Sequence, residues 1–300
     1  MEFVIANKEK YDSFIFGAST VGVIDPSAIP FGRFYNMYYS VGAPLEFLND
    51  LRILLKEGVK IKYLMIGLDD FSYKIDPKGH LSELMRHPYE DSKLKRALFL
   101  LKYLFSPVSA QREAYLKAFF GNGKTGFIYN ISSKGDTIWQ ERDKLIKADK
   151  NYFQGEYFSQ PFNYNDTGRI DKTLVELKAI VDIAKANNIK LVIFINPIHY
   201  LRYVNIDLDR FSDFKRGLAQ ITDYYDFSGL NSVVKDNHYF YETSHYRPML
   251  GDTIISKILN VNISQAVSDF GVFITKDNVE EHILSQKKEI KAEKNHNVFR

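Results

Sequence analysis

The chain has 300 residues, with 40 Lys+Arg against 37 Asp+Glu (formal charge +3), and it is 45% hydrophobic and 26% charged. That balance excludes a disordered, collagen-like or coiled-coil chain, and it holds no basic excess to suggest a nucleic-acid partner. With no cysteine, a catalytic thiol, an iron–sulfur cluster and a Cys-based zinc site are excluded as well. The aromatic share is high: 20 Tyr and 23 Phe beside a single Trp. No run of apolar residues is long enough to span a bilayer, and the first residues lack a signal-peptide pattern.

The first predicted strand is Tyr11–Gly17, a short apolar run stopped by glycine and followed by Ala18-Ser19-Thr20. A second is expected over Phe34–Tyr39. The turn Ser40-Val41-Gly42-Ala43-Pro44 then opens a helix to about Lys56, with Leu45, Leu48, Leu51 and Leu55 on one face and Gly58 past its end. A third strand, Lys62–Ile66, runs into Gly67-Leu68-Asp69-Asp70. Residues 76–165 depart from this rhythm. Helices are expected over 91–105 and 109–120, then a Gly/Asn/Ser-rich stretch over 121–135 and scattered aromatics over 152–164. They read as a mainly helical insertion capping a core made of 1–75 and 166–300, because a structureless loop of that length would be unusual.

Alternation resumes with a helix over 167–187, apolar at 170, 174, 177, 181 and 184, and a strand over 190–195 that ends at Asn196-Pro197-Ile198-His199. A helix over 207–219, a strand over 221–226, the segment Glu242-Thr243-Ser244-His245 and a helix from Pro248 to about Leu259 follow. The tail holds a predicted strand at 272–275 and a polar helix from Asn278. Strand–helix alternation with uninterrupted apolar strands predicts an α/β three-layer sandwich around a mainly parallel, flavodoxin-like sheet. Functional groups in such sheets gather beyond the carboxyl ends of the strands, where Ser19, Gly42, Asp69 and Asn196 all fall.

Ser19 with His245 makes a serine-nucleophile site. A serine hydroxyl needs a neighbouring base, and the base needs a third group to orient it. Glu242, three residues before His245, reaches the same side of a turn or first helical turn. Gly42 can bring a backbone N–H to an oxyanion, as can Ser19 itself. Each residue also has a plainer reading. Ser19 can be a helix cap, His245 a residue preceding a helix, Glu242 a solvated turn carboxylate and Gly42 a turn glycine. His199 reads first as a surface or packing histidine, with lining of the pocket beside Asn196 and Asp69 as its sharper role. Asp226 is a reserve orienting carboxylate. His238, Glu242 and His245 match no strong metal-ligand spacing, so no metal and no cofactor is expected. The aromatics of 152–164 can stack on sugar rings or simply pack, and the basic segment 93–102 reads as a solvated face.

In order and placement these blocks resemble the SGNH/GDSL hydrolase superfamily. Phe16-Gly17-Ala18-Ser19-Thr20 stands where that family has its nucleophile, Asn36 to Gly42 where it has an oxyanion glycine, and Glu242-Thr243-Ser244-His245 where it has Asp-x-x-His. Ile66–Ser72 and Ser244–Pro248 are similar to a divergent branch that includes the D-alanine transfer protein of teichoic-acid modification and proteins that O-acetylate alginate and related exopolysaccharides. The resemblance covers about 11–73 and 167–260, not the insertion. It implies Ser19 as nucleophile, His245 as base, Glu242 as its orienting acid, and acyl transfer or ester hydrolysis at a hydroxyl of a cell-envelope polysaccharide. It also implies a membrane-bound O-acyltransferase as partner and an extracytoplasmic location, with any anchor lying upstream of this chain. Two departures stand out. Asp69 occupies the place of an asparagine whose amide donates to the oxyanion, and Glu242 replaces Asp. The first of these motivates a competing reading, a degenerate glycan-binding or scaffolding module on the same fold. A third is an intracellular hydrolase of small esters.

Overall fold

The computed structural model describes residues 1–77, 140–159, 164–260 and 269–298, together with isolated positions between 89 and 138. A short helix α1 (Glu2–Ala6) precedes β1 (Ser13–Gly17), β2 (Phe34–Tyr38), α2 (Pro44–Lys56) and β3 (Tyr63–Leu68). The described residues then give α3 (Gln140–Ala148), α4 (Ile170–Ala186), β4 (Lys190–Ile195), α5 (Tyr200–Tyr203), α6 (Leu208–Ala219) and β5 (Tyr224–Asp226). A hairpin of β6 (Phe240–Glu242) and β7 (His245–Tyr246) leads to α7 (Pro248–Leu259), β8 (Val272–Ile274) and α8 (Val279–Val298).

The main sheet has six strands in the order β8-β5-β4-β3-β1-β2, parallel throughout except for antiparallel β8 at one edge. Side chains alternate between two cores, as the period of a strand requires. From β1, Phe14 and Phe16 enter one core and Ile15 the other; from β3, Leu64, Ile66 and Leu68 oppose Met65; from β4, Ile193 and Ile195 oppose Phe194. Residues of α2, α4, α6 and α8 cover the first face. The turn after β1, the β6–β7 hairpin and α7 cover the second, which makes three layers. Both faces being buried explains why these strands read as continuous apolar runs rather than alternating ones.

Local chemistry sets the boundaries. Proline opens α2 and α7, where a missing N–H costs nothing, and the Glu46 side chain accepts from the Ala43 N–H at 3.0 Å to cap α2. The buried stripe of α2 is Phe47, Leu48, Leu51 and Leu54. Leu45, expected on that face, lies a third of a turn off it, and Leu55 sits at its margin. The strand expected from Ile221 begins only at Tyr224. Ile221 and Thr222 donate to the Leu218 carbonyl at 2.9 and 3.0 Å and so complete the last turn of α6. Among the described residues no helix is long and apolar enough to cross a membrane.

Apart from isolated positions, the helices expected over 91–105 and 109–120 and the stretch 121–135 lie outside the described residues. Within the segment 76–165 expected to cap the core, Tyr152 and Phe158 pack in the second core, and the Tyr152 hydroxyl donates to the Tyr241 carbonyl at 2.6 Å. Tyr241 lies in β6, so this segment is tied to the hairpin that carries Glu242.

The strand order 2-1-3-4-5 reverses direction between β1 and β3. In open α/β sheets the crevice at such a switch point is where ligands bind. Ser19 follows β1 and Asp69 follows β3, one on each side of it.

Candidate active site

The turn that carries Ser19 depends on two glycines. Gly17 and Gly67 are register partners at the ends of β1 and β3. A Cβ on Gly17 would stand 2.6 Å from the Val21 side chain, and one on Gly67 would strike Val21 and lie 2.9 Å from the Phe194 ring. Without side chains there, Val21 drops onto the strand ends and the chain folds at once into a tight 3-10 turn, Ser19–Val23. Asn36, fully buried in β2, donates to the carbonyls of Val21 at 2.7 Å and Ile24 at 3.3 Å and pins the far end of that turn. Ser19 is thereby held at the carboxyl edge of the sheet.

The Ser19 hydroxyl caps no helix. The residue in the capping position is Ala18, and Ser19 Oγ lies 2.8 Å from His245 Nε2. Across that bond the two residues are 226 positions apart in sequence. His245 Nδ1 in turn bonds to Glu242 Oε1, and Glu242 Oε2 accepts the Ser244 N–H at 2.7 Å. Glu242 and His245 face each other as register partners of the β6–β7 hairpin, with Thr243 and Ser244 as its turn. Of the two conformations expected for this segment, the turn is the one adopted. Each side chain is about one-fifth exposed (18% for Glu242, 20% for His245), so the pair is largely shielded, and Ser19 is half-buried. Burial pushes the Glu242 carboxyl up, but the bond and charge of His245 and the Ser244 N–H outweigh it and hold the group below its ordinary value. Ionised Glu242 is an acceptor for Nδ1–H, and that bond leaves Nε2 facing the Ser19 hydroxyl. This is the arrangement that lets a serine hydroxyl attack a carbonyl.

Gly42 is buried against the same turn: a Cβ there would stand 2.7 Å from the Gly17 carbonyl oxygen and 2.9 Å from the Phe47 ring. Among the described residues no acceptor is bonded to the backbone N–H of Ser19 or of Gly42. Val41, just before it, has φ of 57°. For a β-branched residue this left-handed backbone is strained, and its side chain packs beside Ala18, Phe71 and Ile75. The loop that would supply an oxyanion N–H is thus held in a costly conformation by the packing around it.

Asp69 does not stand in for an oxyanion amide. It is buried, and both carboxylate oxygens are engaged: Thr20 Oγ1 donates to Oδ2 at 3.0 Å and Asn196 Nδ2 donates to Oδ1 at 3.1 Å. Burial, reinforced by the charge of Asp70 and only partly offset by Arg202 and these two bonds, raises its pKa from 3.8 to about 7. The sign of the linkage follows. Between about pH 4 and 7 the folded chain holds a proton that the unfolded chain has lost, so this group's contribution to stability declines as pH rises through that window. Asp69→Asn removes the charge but sets its NH₂ against one of the two donors, Thr20 Oγ1 or Asn196 Nδ2, a cost that does not depend on pH. The stability of the variant relative to wild type is therefore expected to be higher at pH 8.5 than at pH 4. Paired thermal melts at the two pH values check this, and an equal shift at both would contradict it.

Asn196 is fully buried and belongs to the same network as Asp69. His199 is 2% exposed and does not line the site. Its Nδ1 accepts the Leu201 N–H at 3.2 Å to cap α5, its Nε2 meets Asn237 Oδ1 at 2.7 Å, and its ring lies against Phe158 and Phe240. Burial lowers its pKa, in keeping with a neutral packing histidine. Asp226 orients no catalytic base. It lies within an ionic cluster with Lys215 and His282. Among the described residues no group of three His, Cys, Asp or Glu side chains could hold a metal ion, and His238 Nδ1 pairs with Asp236. Of the aromatics over 152–164, Tyr152 and Phe158 are core residues, while Tyr157 stacks on Tyr152 with Arg142 4.0 Å above its centroid.

Thr20, Asn36 and Tyr246 also shape the site; Thr20 and Tyr246 directly follow Ser19 and His245 in the chain, which is their one sequence cue. In sequence comparisons no protein-family model and no curated protein matches the chain.

Proposed function

We propose that this chain is a serine-dependent O-acyltransferase or esterase acting at a hydroxyl of a cell-envelope polysaccharide. The observation that carries the chemistry is the hydrogen-bonded row Ser19–His245–Glu242 at the carboxyl edge of the sheet, with a 2.8 Å Oγ to Nε2 contact. The polysaccharide substrate, the extracytoplasmic setting and the membrane-bound O-acyltransferase partner come from the motif resemblance, and the SGNH-like assignment of the α/β core is part of the same reading.

Ser19 Oγ attacks the acyl carbonyl while His245 Nε2 takes its proton. The tetrahedral oxyanion is received by the N–H groups of Ser19 and Gly42. Collapse expels the donor's alkoxide, which leaves as an alcohol with the proton from His245, and an acyl-Ser19 ester remains. The acceptor hydroxyl, or water, then gives its proton to His245 and attacks that ester. The acylated acceptor or free acid departs and Ser19 regains its proton. Glu242 stays ionised and keeps the imidazole in the right tautomer throughout.

The second reading is a glycan-binding or scaffolding module with a degenerate site. Asp69 favours it, because the side-chain amide of the family's oxyanion hole is missing. Intact-protein mass after treatment with a fluorophosphonate separates the two. The expected result is one adduct on wild type and none on Ser19→Ala. A folded wild-type protein that takes no adduct, yet binds glycan, would favour the module.

A further inference from the structure

We infer that a second, fully buried hydrogen-bond chain, Thr20–Asp69–Asn196–Tyr246, braces the serine turn against the histidine hairpin and makes Asn196 and Tyr246 positioning residues for the Ser19–His245 pair. The inference rests on the reading of Ser19 as nucleophile and adds to it the device that sets its aim.

The two ends of the chain are the immediate neighbours of the two reacting side chains. Thr20 follows Ser19 and Tyr246 follows His245. Between them stand the first residues after β3 and β4, the two most central strands. Asn196 Nδ2 donates to Thr20 Oγ1 and to Asp69 Oδ1, both at 3.1 Å; Thr20 Oγ1 donates to Asp69 Oδ2 at 3.0 Å; and the Tyr246 hydroxyl donates to Asn196 Oδ1 at 3.1 Å. All four side chains are at most 5% exposed. The central members are themselves tied to the frame: the Asn196 N–H donates to the Leu68 carbonyl at 2.8 Å, and the Asp69 N–H to Ser72 Oγ at 2.9 Å.

Ionised Asp69 orients the amide of Asn196: turned over, the amide would set its oxygen against the carboxylate. Its two hydrogens and its oxygen are therefore fully used, and the four groups lock as a unit. Nothing in the chain sequence joins Ser19 to His245 locally. Their contact is made across two separately folded elements, and attack on a carbonyl is sensitive to ångström-scale misplacement. A brace from one neighbour to the other through the rigid sheet ends meets that need, and no ligand contact is required of it.

The test measures the second-order rate of fluorophosphonate labelling, together with kcat and KM for p-nitrophenyl acetate, in wild type, Thr20→Val, Thr20→Ser, Tyr246→Phe and the Thr20→Val/Tyr246→Phe double variant. Thr20→Val and Tyr246→Phe keep shape and lose one hydroxyl each. Both are expected to label about 10- to 100-fold more slowly and to lose kcat with KM nearly unchanged. Thr20→Ser, which restores the hydroxyl, is expected to recover most of the rate. The double variant should lose less than the product of the single losses, as coupled members of one network do. Near-UV circular dichroism identifies the folded variants. If Thr20→Val fails to fold, Tyr246→Phe, which retains the packed ring, decides the matter alone. Wild-type rates in folded Tyr246→Phe, or equal losses in Thr20→Val and Thr20→Ser, would overturn the brace while leaving Ser19 as nucleophile. A wild type that never labels would overturn both.

Discussion

Glu242→Gln is expected to reduce acyl turnover by about 10³–10⁴-fold in a protein that still folds. The reason lies in the two carboxylate oxygens. One receives His245 Nδ1 and the other accepts the Ser244 N–H. A glutamine amide cannot accept from both. If its oxygen stays on His245, its NH₂ confronts the Ser244 N–H, donor against donor. If it turns, the NH₂ faces Nδ1 and drives the imidazole proton to Nε2, where it blocks acceptance from Ser19. The second orientation satisfies both neighbours, and it removes the base. Labelling by fluorophosphonate should fall in parallel with ester hydrolysis, because both need an activated Ser19. The fold should survive, since Glu242 lies at a partly exposed hairpin end. Turnover within threefold of wild type would show that Glu242 does not orient the base.

The largest expected loss of stability comes from a different acid. Asp226→Asn should destabilise the protein by about 3–5 kcal/mol, because it leaves a charged lysine buried without its counter-ion. Lys215 is 1% exposed, and its Nζ stands 2.8 Å from Asp226 Oδ2, 2.8 Å from Ser228 Oγ and 2.7 Å from Gln286 Oε1. Asp226 also meets His282 Nε2 at 2.9 Å and accepts from the Ser228 hydroxyl at 2.6 Å. Burial alone would raise Asp226, but Lys215 and His282 overcome it and hold the carboxyl far below its ordinary range. The sign follows. Its stabilisation is present above about pH 4 and is lost as pH falls below the unfolded carboxylate value. His282 and Gln286 both belong to α8, so loosening of α8 should lead the transition. Denaturant unfolding followed by hydrogen exchange on α8 checks both points. The loss should be smaller in Lys215→Met/Asp226→Asn, where no charge is stranded. A folded Asp226→Asn of unchanged stability would refute this account of the cluster.

These two acids illustrate what could be read in the chain alone. Glu242 was legible because its partner is local. An i,i+3 spacing to His245 brings the two together in a turn or helix start, whatever the rest of the fold does. Asp226 was not, since its partners lie 11 and 56 positions away and enter from two helices. At the end of a strand it stood as a reserve orienting carboxylate behind Glu242. Asp69 likewise could be placed at a strand end but not aimed. Its oxygens are taken by Thr20 and Asn196, 49 and 127 positions distant, and this contact turns it from the place of an oxyanion donor into part of a buried network.

By itself the sequence determined the layered α/β plan, because strands buried on both faces must be apolar throughout and helices must carry one apolar stripe. Glycine and proline marked where each element ends, and Ser19, Gly42, Asp69 and Asn196 after predicted strands marked an edge of the sheet. Only the tertiary structure decided which of those edge residues meet. It brought Ser19 to His245, sent His199 to cap a helix and Asp226 to an ion cluster, and linked Thr20 to Tyr246 through the ends of β3 and β4. The reason is physical. Backbone conformation and periodicity are set within a few residues, whereas the partner of a polar side chain is set by burial, which only the packing of distant segments creates.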